Sequence, residues 1–271
     1  MKRVIAVMLT VFMVFSICSC GNNTADIDEY TEVVKADGYC DIDTTGRVKI
    51  MCTGDSLTAG YKSTNAYRNY LANQLIENGY GDTTCFVGPG DKPTDLCPEG
   101  FRRLYGYGGN TIEGLRGGLA EAMASEPDII ILMIGTNDLG ALSTHYINEE
   151  VEEIYRKLIR EILAIDPDVH LFLGNPLPTT DGGRSGVIED ARNVWIRGFI
   201  KELCEDKAYN DYNVSFVDFS TNAIDWSAKE DWKPGETDHV HPSASGNIKM
   251  ANRWYEAIQP TIDAILAEQA A

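Results

Sequence analysis

The sequence predicts a three-layer α/β/α sandwich on a five-stranded parallel sheet, and three observations carry that expectation. Short apolar runs alternate with longer amphipathic stretches from about residue 46 onward. The run Asp-Ile-Ile-Ile-Leu-Met-Ile at 128–134 is almost wholly apolar and lacks period-two alternation, as expected of a strand buried on both faces. Glycine and polar residues gather directly after the apolar runs, where open parallel sheets bind their ligands.

Taken in order, the chain opens with Lys2 and Arg3 and an apolar stretch from Val4 to Ile17, the pattern of a secretory signal over residues 1–19. Its end, Ser16-Ile17-Cys18-Ser19-Cys20-Gly21, resembles the lipobox of bacterial lipoproteins, with Cys20 as the lipidated residue. Ordinary cleavage near Ser19 with a freely secreted product is the alternative. Either route makes the protein extracellular, and a lipid on Cys20 is its sole expected attachment to a membrane. Residues 20–45 are acidic and polar without a sustained apolar period and read as a tether, leaving 46–271 as one domain.

Within that domain the five expected strands are 48–53, 84–87, 128–134, 169–173 and 214–217. Helices are expected at 66–78, 112–124, 186–204 and 243–267. A further one is marked by Val151, Ile154, Tyr155, Leu158, Ile159, Ile162 and Leu163, one apolar stripe that stops before Pro167.

The formal charge of −18 becomes −20 for the chain from Cys20 onward, 21 basic residues against 41 acidic. Such a surface repels phosphate backbones and argues against nucleic acid as a partner. Of seven cysteines, Cys40, Cys52, Cys85, Cys97 and Cys204 lie beyond the export segment. Cys85 and Cys97 flank a Gly/Pro-rich loop that a disulfide would bridge, and Cys52 reads as core. No close Cys-x-x-Cys pair is present among them, so no metal is expected.

The chemistry-bearing residues follow the strands. Gly54-Asp55-Ser56-Leu57 comes after the first, Gly106-Tyr107-Gly108-Gly109-Asn110-Thr111 precedes a helical pattern, Gly135-Thr136-Asn137-Asp138 ends the third strand, and Asp238-His239-Val240-His241-Pro242 comes near the C-terminus. A carboxylate three residues before an imidazole can fix its tautomer and leave the second ring nitrogen for a serine proton. His239 is the rival base but lacks that offset from Asp238. His145 and His170 fall outside all four stretches and read as surface or strand-start residues.

In order and content these four stretches resemble the motif blocks of the GDSL, or SGNH, hydrolase superfamily, across most of the chain after the tether. The resemblance implies a flavodoxin-like SGNH fold and a cofactor-free serine esterase. Ser56, Asp238 and His241 would form the triad, with Ser56, Gly109 and Asn137 as oxyanion-hole donors; Gly108 is the alternative to Gly109. The layout looks most like acetylxylan esterases of carbohydrate esterase family 3. That implies a small ester or an acetylated polysaccharide as substrate and O-deacetylation of a plant polysaccharide as the reaction. Lipolytic, lysophospholipase or thioesterase action on the same triad is a second reading, and a non-catalytic surface lipoprotein is a third. Tyr105, Tyr107, Trp226 and Trp232 are flat rings suited to stacking on sugars, or else loop packing. Arg102 and Arg103 stand where the subfamily often carries His-Glu-Gly, as contacts to an acidic substrate or as offsets to nearby acids.

Overall fold

The computed structural model describes residues 39–60, 65–92, 96–139, 148–180, 187–188, 191–232 and 240–271. In chain order the elements are β1 (Val48–Gly54), the single turn α1 (Ser56–Ala59), α2 (Tyr67–Glu77), β2 (Thr84–Phe86), β3 (Gly90–Asp91) and β4 (Arg103–Gly106). Then come α3 (Ile112–Gly117), α4 (Leu119–Met123), β5 (Ile129–Met133), the single turn α5 (Thr136–Leu139), α6 (Asn148–Ile165) and β6 (His170–Gly174). The two-residue strands β7 (Thr179–Thr180) and β8 (Val187–Ile188) pair with each other, and α7 (Ala191–Glu205), β9 (Val214–Val217) and α8 (Ala244–Gln269) complete the chain.

β1, β5, β6 and β9 lie side by side and parallel. The other edge of β1 is divided: its first residues pair with β2, and Thr53 and Gly54 pair with Tyr105 and Gly106 of β4. β3 adds to β4 in antiparallel sense. All five expected strands are therefore in the sheet, and β3 and β4 extend it.

Strand alternation creates the three layers. Met51, Ile130, Leu132, Leu171 and Leu173 face a core with Ile112, Leu115, Tyr155, Leu158, Ile162, Ile196 and Phe199, from α3, α6 and α7. Their neighbours Ile50, Cys52, Ile131 and Met133 face the opposite core, with Tyr67, Leu71 and Leu75 of α2 and Trp254, Ile258 and Ile262 of α8. Trp254 is fully buried, its ring centroid 4.8 Å from that of Phe219 and 6.1 Å from that of Tyr67. A side chain so enclosed contributes about 3–5 kcal/mol relative to alanine. α8 runs through Pro260, whose missing N–H falls at an exposed position.

Three expectations need correction. The helix expected over 112–124 is two helices that meet at Gly118. A Cβ there would lie 2.6 Å from the Tyr105 hydroxyl, which donates to the Leu115 carbonyl. The helix expected over 186–204 begins at Ala191, after the short strand β8. Residues 39–42, expected within the tether, make contacts with the fold. The Tyr39 carbonyl accepts from Gly88 N at 3.1 Å, Asp41 approaches Arg103 at 3.5 Å, and Ile42 packs against Gly100. The export segment expected at 1–19, the expected tether up to residue 38, Cys20 and His145 lie outside the described residues.

Candidate active site

Three neighbouring strands, β4, β1 and β5, run parallel, and the loops after their carboxyl ends meet. Glycine makes the close approach possible. A Cβ on Gly54 would stand 2.2 Å from the Met133 carbonyl oxygen, and one on Gly106 would stand 2.6 Å from the Gly54 carbonyl oxygen.

At the end of β1, Asp55 caps α1 through Oδ1, which accepts from Leu57 N at 2.9 Å. This turns Ser56 toward the loops while leaving it only 8% exposed. Ser56 Oγ lies 2.8 Å from Nε2 of His241, a residue of the short segment leading into α8. His241 is thus the histidine that meets Ser56; Asp238 and His239 lie outside the described residues.

The loop after β4 is closed by Asn110 N donating to the Tyr107 carbonyl at 3.2 Å. A Cβ on Gly108 would sit 4.0 Å from Ser56 Cβ, and Gly109 adopts a left-handed φ of +77° with open space around it. The loop after β5 holds this turn. Asn137 Nδ2 donates to the Asn110 carbonyl at 2.7 Å, and both carboxyl oxygens of Asp138 accept from Ile112 N at 3.3 Å. One N–H of the Asn137 amide is so engaged, and the amide has a second to offer. Ser56, the glycine turn, Asn137 and His241 therefore converge.

Burial dominates the electrostatics. Asp55 is fully buried and its carboxyl is pushed up to about 7 by desolvation, against the hydrogen bond from Leu57 N. The Thr136 hydroxyl also favours its ionised form, and the Asp138 charge adds to the upward shift. Neither Oδ2 of Asp55 nor the Thr136 hydroxyl has a partner in full hydrogen-bonding geometry, so the desolvation of the carboxyl is only partly offset. Asp138 is raised to about 6, again chiefly by desolvation.

The chain that follows His241 is anchored to Asp231. The Asp231 carbonyl accepts from Ser243 N at 2.8 Å, while its buried carboxylate accepts from Ser245 Oγ at 2.7 Å and Lys249 Nζ at 2.5 Å. Asp55, Asn110, Asp138, Asp231 and Lys249 were not singled out from the sequence as site residues. The first three stand inside the motif stretches, where turn and capping residues are the visible signal. The Asp231–Lys249 pair has no sequence signal of its own.

Of the four rings suited to sugar stacking, Tyr105, Trp226 and Trp232 are buried, and only Tyr107 is open, at 48% exposure. Trp226 Nε1 donates to the Phe219 carbonyl and Trp232 Nε1 to the Trp226 carbonyl, so both indoles serve the loop packing. Arg102 pairs with Asp91 at 3.0 Å and Arg103 approaches Asp41, which makes them offsets to nearby acids. Among the described residues, no group of three or more His, Cys, Asp or Glu side chains is arranged to hold a metal ion.

Comparison with known proteins agrees with this geometry. The chain is 31% identical over 236 residues to a multidomain esterase of Ruminococcus flavefaciens, covering 79% of this chain. It spans only 29% of that relative's length. A family 3 carbohydrate esterase of Clostridium thermocellum superposes with a TM-score of 0.65 at 25% identity, covering 81% of this chain and 99% of that one. A family 3 carbohydrate esterase from Talaromyces cellulolyticus shares the fold, with a TM-score of 0.66 at 22% identity over 80% of this chain and 99% of its own. The model of the GDSL-like lipase/acylhydrolase family matches residues 52–247, a span that takes in Ser56, the glycine turn, Asn137 and His241, and the chain belongs to that family of ester hydrolases.

Proposed function

We propose that the domain hydrolyses carboxylic esters through an acyl-enzyme on Ser56, and that its substrate is an O-acetylated plant polysaccharide such as acetylxylan. The observation that carries the reading is the 2.8 Å contact between Ser56 Oγ and His241 Nε2 beside the glycine turn and Asn137. His241 takes the serine proton as Oγ attacks the carbonyl carbon, and Asp238 stabilises the imidazolium. The oxyanion is held by the backbone N–H groups of Ser56 and Gly109 and by the second N–H of the Asn137 amide. Each such donor is worth about 3–4 kcal/mol of barrier. The imidazolium then protonates the leaving alcohol, and water activated by His241 releases the acid.

The carbohydrate part of the reading is supported by Tyr107. Its ring is exposed beside Gly108 and braced edge-on by Tyr105, with centroids 6.2 Å apart and an interplanar angle of 86°. A fixed, open ring one residue from the glycine beside Ser56 suits stacking on a sugar. Acetate release from acetylated xylan is to be compared with hydrolysis of acyl esters of rising chain length. Acetylated xylan and acetyl esters should be preferred, and Tyr107→Ala should raise KM for the polymer far more than for a small acetyl ester. Preference for long acyl chains would reject the carbohydrate reading and favour lipolysis. A folded Ser56→Ala protein that kept more than about a thousandth of the activity would reject the acyl-enzyme mechanism.

The reading also includes export with a lipid on Cys20, supported by Lys2, Arg3, the apolar stretch 4–17 and the lipobox-like sequence. Among the described residues no helix is long and apolar enough to cross a membrane. Cys20→Ala should abolish labelling by a fatty-acid probe and release the protein from membranes, and unchanged labelling would reject the anchor.

A further inference from the structure

Five cysteines lie in the domain or at its entrance, and they occupy different surroundings. Cys52 is buried in the layer between the sheet and α2 and α8. Cys204, a residue of α7, packs against the core on the opposite face of the sheet, and the Cys97 thiol donates to the Phe101 carbonyl at 3.2 Å. The bridge expected between Cys85 and Cys97 is not formed. Cys85 instead has a different neighbour: its thiol is buried in the core against which Cys40 packs, and Cys40 Sγ lies 3.5 Å from the carbonyl oxygen of Phe86, the next residue of β2.

Cys40 is held there by its surroundings. The main chain at Tyr39 is bonded to Gly88, Cys40 Sγ faces the Phe86 carbonyl at 3.5 Å, and Asp41 Oδ2 accepts from Gly100 N at 3.4 Å. Cys40 and Ile42 both pack against the core cluster that contains Cys85. We propose that Cys40 and Cys85 are an oxidisable pair whose disulfide staples the point where the N-terminal segment enters the fold to strand β2.

The pair is chemically asymmetric. Interaction with the neighbouring Cys85 thiol holds the half-buried Cys40 thiol below the ordinary thiol range, whereas the same interaction and burial hold Cys85 above it. Cys40 is therefore the first nucleophile. Its thiolate attacks one sulfur of an oxidised small disulfide such as glutathione disulfide, giving a mixed disulfide and one thiolate. Cys85 then loses its proton and attacks Cys40 Sγ, forming the internal bond and expelling the second thiolate. Two protein thiols are oxidised as one external disulfide is reduced. The pairing does not depend on the esterase reading. Export would supply the oxidising compartment in which it persists.

The test uses the full chain equilibrated in glutathione redox buffer, quenched with acid, alkylated, digested and mapped by mass spectrometry. The expected product is a cross-linked peptide pair containing Cys40 and Cys85, two hydrogens lighter than the separate peptides, with Cys52, Cys97 and Cys204 alkylated. The oxidised protein should melt at least ~5 °C above the reduced one. Cys40→Ser, at a half-buried site, should fold and lose that difference. Recovery of both Cys40 and Cys85 as alkylated residues under oxidising buffer, a stable glutathione adduct on Cys40, or a Cys85–Cys97 cross-link would each overturn the proposal.

Discussion

Asp55 performs two tasks with one carboxyl group: Oδ1 caps the turn that presents Ser56, and Oδ2 is buried beside it. With a carboxyl pushed up to about 7, folded Asp55 keeps its proton where an unfolded aspartate, at about 4, has lost it. Between those values the folded state binds more protons than the unfolded one. The associated stability is complete below about pH 4 and is lost as pH rises through about 7. Asp55→Asn keeps an oxygen for Leu57 N and removes the titration. Urea midpoints should therefore shift in favour of the variant as pH rises from 4 to 8, by roughly 2–4 kcal/mol in total. Asp138, raised to about 6, titrates in both proteins, so its contribution cancels apart from its interaction with Asp55. A variant-to-wild-type difference that stays constant over this range would show that Asp55 is ionised throughout. In the sequence Asp55 was legible as a motif letter, but not as a cap or a buried acid, because its burial depends on Thr136 and Asp138 arriving from the end of β5, far along the chain.

At the scale of elements, β1, β5 and β6 were legible because each is a run of mainly apolar residues buried on both faces, and the shorter β2 and β9 were legible as brief apolar runs, although Ser215 of β9 is exposed. β4 was not. Arg103-Leu104-Tyr105-Gly106 lies in a stretch rich in glycine and proline, and it is a strand because the far half of β1 leaves an edge that β2 does not cover. The consequence is functional, since β4 delivers the Tyr107–Asn110 turn to Ser56. Gly106 faces Gly54 so closely that a methyl group would overlap the Gly54 carbonyl oxygen. Gly106→Ala should push β4 from β1, costing about 1–3 kcal/mol and at least tenfold in kcat as the oxyanion donors move. Gly117→Ala, in α3 with open space around it, is the control and should be neutral or slightly stabilising. Equal kcat in the Gly106→Ala and Gly117→Ala proteins would detach β4 from the chemistry. The same reasoning accounts for the divided helix, because Gly118 has no room for a side chain under Tyr105.

For the whole molecule, the sequence shows the domain from the point where apolar periodicity begins, near residue 46, whereas the fold begins by Tyr39. The cause is physical: residues 39–42 form no helix or strand and contribute by docking, through the Tyr39 carbonyl, the Asp41 carboxylate, the Cys40 thiol and the Ile42 side chain. Such contacts leave no period in a sequence. Ile42 covers Gly100 and, with Cys40, packs against the core cluster that holds Cys85 and Val87. Removing the segment uncovers part of that cluster and leaves Gly88 N without its acceptor. A chain beginning at Gly46 should therefore be less stable than one beginning at Tyr39 by about 2–4 kcal/mol, from lost apolar burial and the broken main-chain bond. Both are to be unfolded in urea under reducing conditions, so that no disulfide contributes to the difference. The shorter chain should unfold at lower urea with nearly the same m-value, since the surface exposed on unfolding differs by only a few residues. Coincident midpoints would mean that residues 39–45 rest on the domain without stabilising it, and would return its boundary to Gly46.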